Sequence, residues 1–377
     1  MLVFQEEEKM LYDSAQELLS TVCPVSNQRT LRDSNSTLGF DPQVWQQIID
    51  MGWTAIPFDE DIGGLDFSYK GLTAIFEQIG RNLSATPLLS QVALVGTALE
   101  RHATKAIKNK YLPELISGTK RFVLALDERM FHDLTQVEST LKQENGEFVI
   151  NGQKAIVIDG NEADYYVVVT RQEDSYAFAL VESNTPGLKV TPLKLIDSRN
   201  YAVISLENAI LSQEQIINSD PVSLEQLQSV LDVGRVCLSA EILGACETLF
   251  GHTIEYLKTR IQFDAPIGSF QALQHRAAWL FTELELARSC VLKAALCLDE
   301  FKTASTSYNK VIQEISLAMY KVSVMADKVS SEAIQLHGGI GVTDELDLGL
   351  FLKRIRVAQT LLGDRDFMQL RYSNTIL

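Results

Sequence analysis

The sequence predicts a mostly helical α+β protein built in three blocks: a helical N-terminal domain over residues 1–120, a small β-domain over 121–218 and a C-terminal four-helix bundle over 219–377. Three changes of hydrophobic period carry this reading. Apolar residues recur at helical spacing from Glu6 to about Gly118. Between Arg121 and about Ile217 they shorten into strand-like runs, and after Pro221 the helical spacing returns. In the first block the helical pattern is interrupted at Gly39, at 57–64 and at Pro87, which mark turns. In the second, the runs 122–126, 165–170, 177–181 and 202–206 read as strands. Asn145-Gly146 and Asn151-Gly152 read as hairpin turns, because Asn and Gly tolerate positive φ. In the third, Ser223 with Gln226 forms a capping box, and Leu224, Leu227, Leu231, Leu238, Ile242 and Leu249 then follow one helical face. Further helices are expected over 270–301, 308–336 and 348–372, which with the first make four.

Composition bounds the function. The chain has 377 residues, 46% of them hydrophobic and 22% charged, which is enough apolar material for buried cores and unlike a disordered chain. Its 33 basic and 49 acidic residues give a formal charge of −16, a field that repels nucleic acid. No uninterrupted apolar run approaches the roughly 18 residues of a membrane span. The acidic start at Glu6, Glu7 and Glu8 is unlike a secretory signal, so a cytoplasmic location is expected. Five cysteines, odd in number and without a CxxC pair, suit reduced core thiols better than disulfides or a metal site.

The densest polar and aromatic constellation runs from Arg260 to His275, at a corner between two helices. Arg260 offers a planar fork suited to phosphate and Phe263 a stacking face, while Gln271 opens the next helix, where backbone N–H groups favour anions. A nucleotide fits that set; so does an ordinary helical corner in which Arg260 serves the helix dipole. A second segment, Gln335-Leu336-His337-Gly338-Gly339-Ile340-Gly341, ends a helix with three glycines in four positions, where a ligand or another backbone can come close.

These segments resemble the acyl-CoA dehydrogenase family. The run Arg260, Gln262-Phe263, Pro266-Ile267, Phe270-Gln271 and Gln274-His275 resembles its flavin-nucleotide motif, and Gln335 with Gly338-Gly339 and Gly341 its Gln-x-x-Gly-Gly-x-Gly. Gly39-Phe40-Asp41 with Trp45, Met51-Gly52-Trp53, Glu60 with Gly63-Gly64, and Asn151-Gly152-Gln153-Lys154 are similar to family segments earlier in the chain. The resemblance spans essentially the whole length. It implies a helical domain, a β-barrel-like domain and a four-helix bundle. It also implies FAD contacted by Arg260, Gln262, Phe263, Gln271, Gln335, Gly338 and Gly339, in part across a subunit boundary of a homo- or hetero-oligomeric dimer or tetramer. The implied activity is α,β-dehydrogenation of an acyl-CoA to a trans-enoyl product, within lipid metabolism. Electrons would leave to an electron-transfer flavoprotein or a similar acceptor.

That chemistry needs a carboxylate to take the thioester α-proton. The usual family position falls in Leu361-Leu362-Gly363-Asp364, where the residue is Leu362, and a second family position falls at Gly234, before Arg235. Both are empty. Glu241, two helical turns beyond Gly234 in an apolar stretch, resembles the base of a bacterial branch that includes heteromeric sterol side-chain enzymes. The alternative for Glu241 is a paired buried carboxylate. Asp364 is the second candidate base, against a plain helix N-cap, and Arg235 is placed near the substrate. His337 and His275 read as packing or hydrogen-bonding residues. The middle domain departs from the family, with Asp127-Glu128-Arg129 in place of Thr-Glu-Pro and Ile156-Val157-Ile158-Asp159-Gly160 in place of the flavin-ring segment. The displaced base and the altered wall point to a branched or bulky acyl group. The competing function is a structural or half-site subunit of a heteromeric dehydrogenase.

Overall fold

A computed structural model describes residues 4–376. Helices α1 (Glu6–Val22), α2 (Val25–Ser34), α3 (Pro42–Asp50) and α4 (Tyr69–Asn82) come first, followed by a π-helix (Leu89–Gly96) that continues into α5 (Thr97–His102), and then α6 (Lys105–Ile116). The starts follow local chemistry. Asp41 caps α3 by accepting from the Gln43 N–H at 2.8 Å, with Pro42 at the first helical position, and Thr104 caps α6.

Seven strands follow: β1 (Phe122–Ala125), β2 (Thr140–Glu144), β3 (Glu147–Ile158), β4 (Tyr165–Gln172), β5 (Ser175–Glu182), β6 (Leu188–Leu193) and β7 (Tyr201–Leu211). They form one sheet in the order β1-β4-β2-β3-β7-β6, with β5 also paired to β4. Asn145-Gly146 turns the β2–β3 hairpin with both residues at positive φ, as the sequence predicts. Asn151-Gly152 does not turn the chain. It lies inside β3 at a register shift opposite β7, where the Asn151 carboxamide bonds Asn208, and a Cβ on Gly152 would meet Ser139 Oγ at 2.1 Å. The glycine serves close packing, which a turn-forming dipeptide does not announce.

The C-terminal block contains α7 (Leu224–Thr259), the two-residue strands β8 (Ile261–Gln262) and β9 (Ala265–Pro266), α8 (Gln271–Lys302), α9 (Tyr308–His337), α10 (Leu348–Ala358) and α11 (Arg365–Ser373). The capping box forms as expected: Ser223 N–H donates to Gln226 Oε1 at 2.8 Å and Gln226 N–H to Ser223 Oγ at 3.1 Å. Two expectations change. Leu224 is exposed, so the apolar face of α7 begins at Leu227. The expected fourth helix over 348–372 is two helices, because Leu362 and Gly363 both adopt positive φ and break it.

Contacts divide the chain into two compact units that cut across the three blocks of the sequence. One contains the chain up to Thr30, Tyr69–Ser84 and everything from Arg235; the other contains Leu31–Ser68 and Ala85–Gly234. In the second unit the sheet packs Val123, Ile150, Val157, Tyr166, Val168, Ala179, Ile204 and Leu206 into a core. Beside it Lys154 is fully buried, donating to Glu128 Oε1 at 2.7 Å and to the Val169 carbonyl at 2.6 Å. Burial pulls Lys154 below the ordinary lysine range while Glu128 opposes the change. Burial alone would raise Glu128, but Lys154 and Ser139 outweigh it and leave it below its usual value.

In the first unit α4 and α7 cross with glycine on both sides. A Cβ on Gly80 would lie 1.9 Å from the Glu241 carbonyl oxygen, and one on Gly244 would lie 1.9 Å from that of Glu77. Glu77, buried at the crossing, accepts from Arg288 at 2.9 Å and from the Tyr12 hydroxyl at 3.0 Å, and Arg81 and Arg288 both pair with Glu247. The start of α4 is held by Asp299, which accepts from the Tyr69 N–H at 2.6 Å and the Lys70 N–H at 3.3 Å, while Lys70 Nζ pairs with Glu8 at 2.7 Å.

Burial pushes the Asp299 carboxyl up to about 6 from an ordinary 3.8, although the two backbone donors act in the other direction. Between those values the folded chain holds the proton more tightly than the unfolded chain does, so stability falls as pH rises through the window. Wild type should lose about 2–3 kcal/mol from this residue between pH 4 and pH 7. Asp299→Asn keeps one acceptor for the helix start and removes that contribution. Urea unfolding midpoints at the two pH values should differ less in the variant; an unchanged difference would assign the pH dependence elsewhere.

Candidate functional site

The residues that the sequence singles out at the helix corner converge in the first unit. α7 ends at Thr259, β8 and β9 form a tight ribbon, and α8 begins at Gln271. Opposite this ribbon α9 stops at His337, where Gly338 at φ +64° reverses the chain. Between them lies a cavity of about 570 Å³ whose lining includes Arg260, Gln262, Phe263, Gln335, Gly338 and Gly339. A Cβ on Gly338 or Gly339 would meet nothing within 4 Å, so the backbone there borders open space that any side chain would begin to fill. Gln271 is exposed at the first turn of α8 and stands outside the lining. Arg276, which the sequence reading does not select, lines the cavity and pairs with Glu332. An arginine one turn into a helix that opens beside an anion motif is the signal that could have found it.

The ribbon is strained. Its two loop residues, Phe263 and Asp264, sit at φ +53° and +59°, the geometry of a two-residue turn that favours Asn and Gly. Phe263 is 88% exposed, in edge contact with Phe270 at 6.2 Å between ring centres. An aromatic ring held outward at such a backbone position is a feature that a corner built only for stability would not keep. His337 is a packing residue: its Nδ1 bonds the Ala333 carbonyl at 2.7 Å and its ring stacks on Tyr256. His275 is exposed.

The candidates for the acid–base role form a second group, also in the first unit. Glu241 is 4% exposed and is gripped by Arg354, Nε to Oε1 at 2.7 Å and Nη2 to Oε2 at 2.9 Å. The sequence reading offers two roles for Glu241, base and buried ion-pair member, and in this structure it is paired. Arg354 was not singled out by the sequence reading, although an arginine between Phe351 and Ile355 on the apolar face of α10 invites the question of what it pairs with. Arg235 is fully buried, donates from Nε to the Leu362 carbonyl at 2.9 Å and lies over the Phe367 ring at 5.5 Å. Leu362 itself is buried at φ +59°. Asp364 caps α11, its carboxylate accepting from the Phe367 N–H at 2.9 Å.

In the second unit the departures from the expected flavin-ring segment are structural commitments. Val157 belongs to the β core, and Asp159, at φ +57°, accepts from the Ser90 hydroxyl at 2.6 Å. Asp127 pairs with His132 at 2.9 Å, and Glu128 receives Lys154 and the Ser139 N–H and hydroxyl. Among the described residues no group of three His, Cys, Asp or Glu could hold a metal, no disulfide joins the five cysteines, and no helix is long and apolar enough to cross a membrane.

Comparison with known proteins agrees with this arrangement. Residues 5–119 match the acyl-CoA dehydrogenase N-terminal domain, 128–208 the middle domain and 224–376 the C-terminal domain. The chain therefore belongs to the acyl-CoA dehydrogenase family, oxidoreductases that act with FAD on the CH–CH bond of acyl-CoA. It is 28% identical to a probable acyl-CoA dehydrogenase, YngJ, of Bacillus subtilis, over 90% of each chain. It is also 28% identical to the acyl-CoA dehydrogenase IpdE2 of Mycolicibacterium smegmatis, over 95% of each. The fold is that of the ChsE4-ChsE5 complex from Mycobacterium tuberculosis, with a TM-score of 0.89 and 23% identity over 100% of this chain and 98% of that one. It is also that of butyryl-CoA dehydrogenase from Megasphaera elsdenii, with a TM-score of 0.88 and 19% identity over 99% of each.

The helix corner suits such a cofactor: an uncommitted guanidinium, carboxamides, an aromatic face and a glycine backbone open to a ligand surround one cavity. If Phe263 is kept for what it reaches, relieving its strain should trade function for stability. Phe263→Asn should raise the unfolding midpoint of the flavin-free protein by the equivalent of about 1 kcal/mol and lower the flavin retained on purification. A variant that loses stability and keeps its flavin would show that the ring packs locally.

Proposed function

We propose that this chain catalyses the FAD-dependent α,β-dehydrogenation of an acyl thioester as part of an oligomer, with a branched or ring-bearing acyl group as substrate and Glu241 as the base. The observation that carries the cofactor part is the corner cavity. Arg260, Gln335 and the Gly338-Gly339 backbone line one cavity, and Phe263, which also lines it, leaves most of its surface exposed. Arg260 would hold a pyrophosphate, Gln262 and Gln335 would satisfy polar groups of the nucleotide, Gln271 would add a contact from the first turn of α8, and Phe263 would stack on a ring. Because these donors face out of a single chain, the cofactor would be shared with a second subunit, and assembly would be a condition for holding it. When bound, FAD supplies the acceptor for the β-hydrogen and its electron pair.

The chain's own task is then to take the α-proton. Glu241 would accept it, with Arg235 fixing the Leu362 turn nearby through the Leu362 carbonyl. Leu361 and Leu362, both buried, leave an apolar turn where the family usually has its carboxylate, which supports a displaced and reshaped acyl site. Reduced cofactor would be reoxidised by an electron-transfer flavoprotein or a similar acceptor. A second reading is favoured by one observation, the grip of Arg354 on Glu241: the chain would be a half-site subunit whose partner brings the working carboxylate.

Three experiments test these readings. Arg260→Ala should purify as a folded protein with reduced visible flavin absorbance, and Arg260→Lys should also be impaired, because a point charge cannot reproduce the fork; full flavin content in both would remove the corner from the cofactor site. Glu241→Gln should retain flavin and bind acyl-CoA, yet fail to bleach when mixed with substrate in a single turnover. Normal bleaching would exclude Glu241 and turn attention to Asp364. A wild-type chain that is colourless alone but yellow when co-purified with a related subunit would support the half-site reading.

A further inference from the structure

We infer that the outward face of α8 is where a second copy of this chain docks, each copy using the same face, and that this contact completes the corner cavity; the inference rests on the reading that the cofactor is shared between subunits. Helical geometry orders the residues of the face. Leu280, Leu284 and Ala287 point into the first unit and are buried. Opposite them lies an exposed arc with an aromatic ring at each rim. Phe281, 55% exposed, stands on the α7 side, its ring centre 6.3 Å from that of Phe250. Trp279, 45% exposed, stands on the α9 side, where Lys328 Nζ lies 4.5 Å from its ring centre. Between the rims are the small side chains Ala278 and Thr282, and exposed Leu286 follows one turn on. Small residues along the middle of a helix let a second helix come close, and aromatic rings at its edges give the contact its area.

Two further features say what covers this face. The first is charge. Asp, Glu, Lys and Arg make up 22% of the chain, whose formal charge is −16, yet no exposed residue of α8 from Gln271 to Thr282 is of those four types. Two copies of so acidic a chain repel each other unless they meet where the acids are absent. In a two-fold contact each patch faces its own equivalent, so a neutral, apolar patch suits a second copy, whereas a basic partner would be met by an acidic surface. The second feature is Gly251, next to Phe250 in the interior of α7. Two turns earlier on the same side of α7, Gly244 is pressed against the Glu77 carbonyl of α4 and has a reason to lack a side chain. Gly251 is exposed, and a Cβ there would meet nothing within 4 Å. A glycine inside a helix costs stability, and within one chain no close approach offsets the cost at Gly251. A backbone of the second copy, seated beside Phe250 and Phe281, would offset it. Because Phe270 and Arg276 at the start of α8 line the corner cavity, a subunit seated on Ala278 lies within about two turns of the cofactor site.

Sedimentation velocity of the flavin-loaded protein tests the inference. Ala278→Glu puts a carboxylate at the centre of the face, and Gly251→Gln fills the space beside Phe250. Both are exposed helix positions, so the thermal midpoint of each flavin-free variant, read by circular dichroism, should stay within a few degrees of wild type. Met10→Glu, on the exposed side of α1, is the control for added charge. Wild type and Met10→Glu should sediment as a dimer or larger. Ala278→Glu should shift toward the smaller species, with a dissociation constant weaker by at least about tenfold, and lose most of its flavin; Gly251→Gln should shift the same way. Unchanged assembly in Ala278→Glu overturns the inference, as does equal dissociation in Met10→Glu or a dissociation that only follows a fall in the midpoint. A wild-type chain that is monomeric alone and assembles only with a related subunit overturns the assignment to a second copy. If Ala278→Glu dissociates yet holds its full flavin, the docking face stands and the shared-cofactor reading has failed.

Discussion

The closeness of α4 and α7 is the constraint on which the first unit depends. At Gly80 and Gly244 the two helices touch backbone to backbone, each glycine lying against a carbonyl of the other helix, so no side chain separates them. This brings Glu77 and Glu241, each one turn from its own helix's glycine, into the interior. Neither could remain there alone, since an isolated buried carboxylate loses its hydration without compensation. Glu77 is answered by Arg288 and Tyr12, and Glu241 by the fork of Arg354. Two glycines therefore dictate two buried ion-pair systems, and those systems connect α1, α8 and α10 to the crossing.

Against this rigid centre the helix corner spends stability. Phe263 and Asp264 occupy positions where Asn and Gly would be at ease, and Phe263 leaves most of its ring in solvent. Close by, Gly338 and Gly339 decline to fill the space in front of them. A chain folded for its own sake would reverse both choices. The pattern makes sense when the corner is completed by something that the chain does not provide, which is the basis of the cofactor site proposed above.

The carboxylates tell a complementary story about what the family's chemistry leaves this chain to work with. Leu362 stands where the usual base would be, yet the turn retains a strained backbone, secured by Arg235 at the Leu362 carbonyl. Asp364 is occupied in starting α11, and Asp159 in receiving Ser90. Glu241 is buried in a bundle whose interior also holds Arg235, Ser239 and Arg354, and the Arg354 fork meets both of its oxygens.

Periodicity and turn chemistry determined much of this protein. The change of period at Arg121 and again at Pro221, the Ser223 capping box and the Asn145-Gly146 hairpin are local, governed by residues a few positions apart, and they survive in the structure. Arg260, Gln262 and Phe263 are nearly contiguous, so only the Gln335 segment has to be brought to them for one cavity to form, and Gln271 stands outside its lining. What tertiary structure decided are matters of pairing over long separations. Asn151-Gly152 became a packing bulge because Ser139 and Asn208 lie against it, and the expected last helix broke at Leu362, where the chain takes up positive φ and Arg235 holds its carbonyl. Sequence could mark Glu241 as a charge in an apolar stretch, but 113 residues separate it from Arg354. A lone buried charge announces that it needs a partner; only the packed helices choose which one.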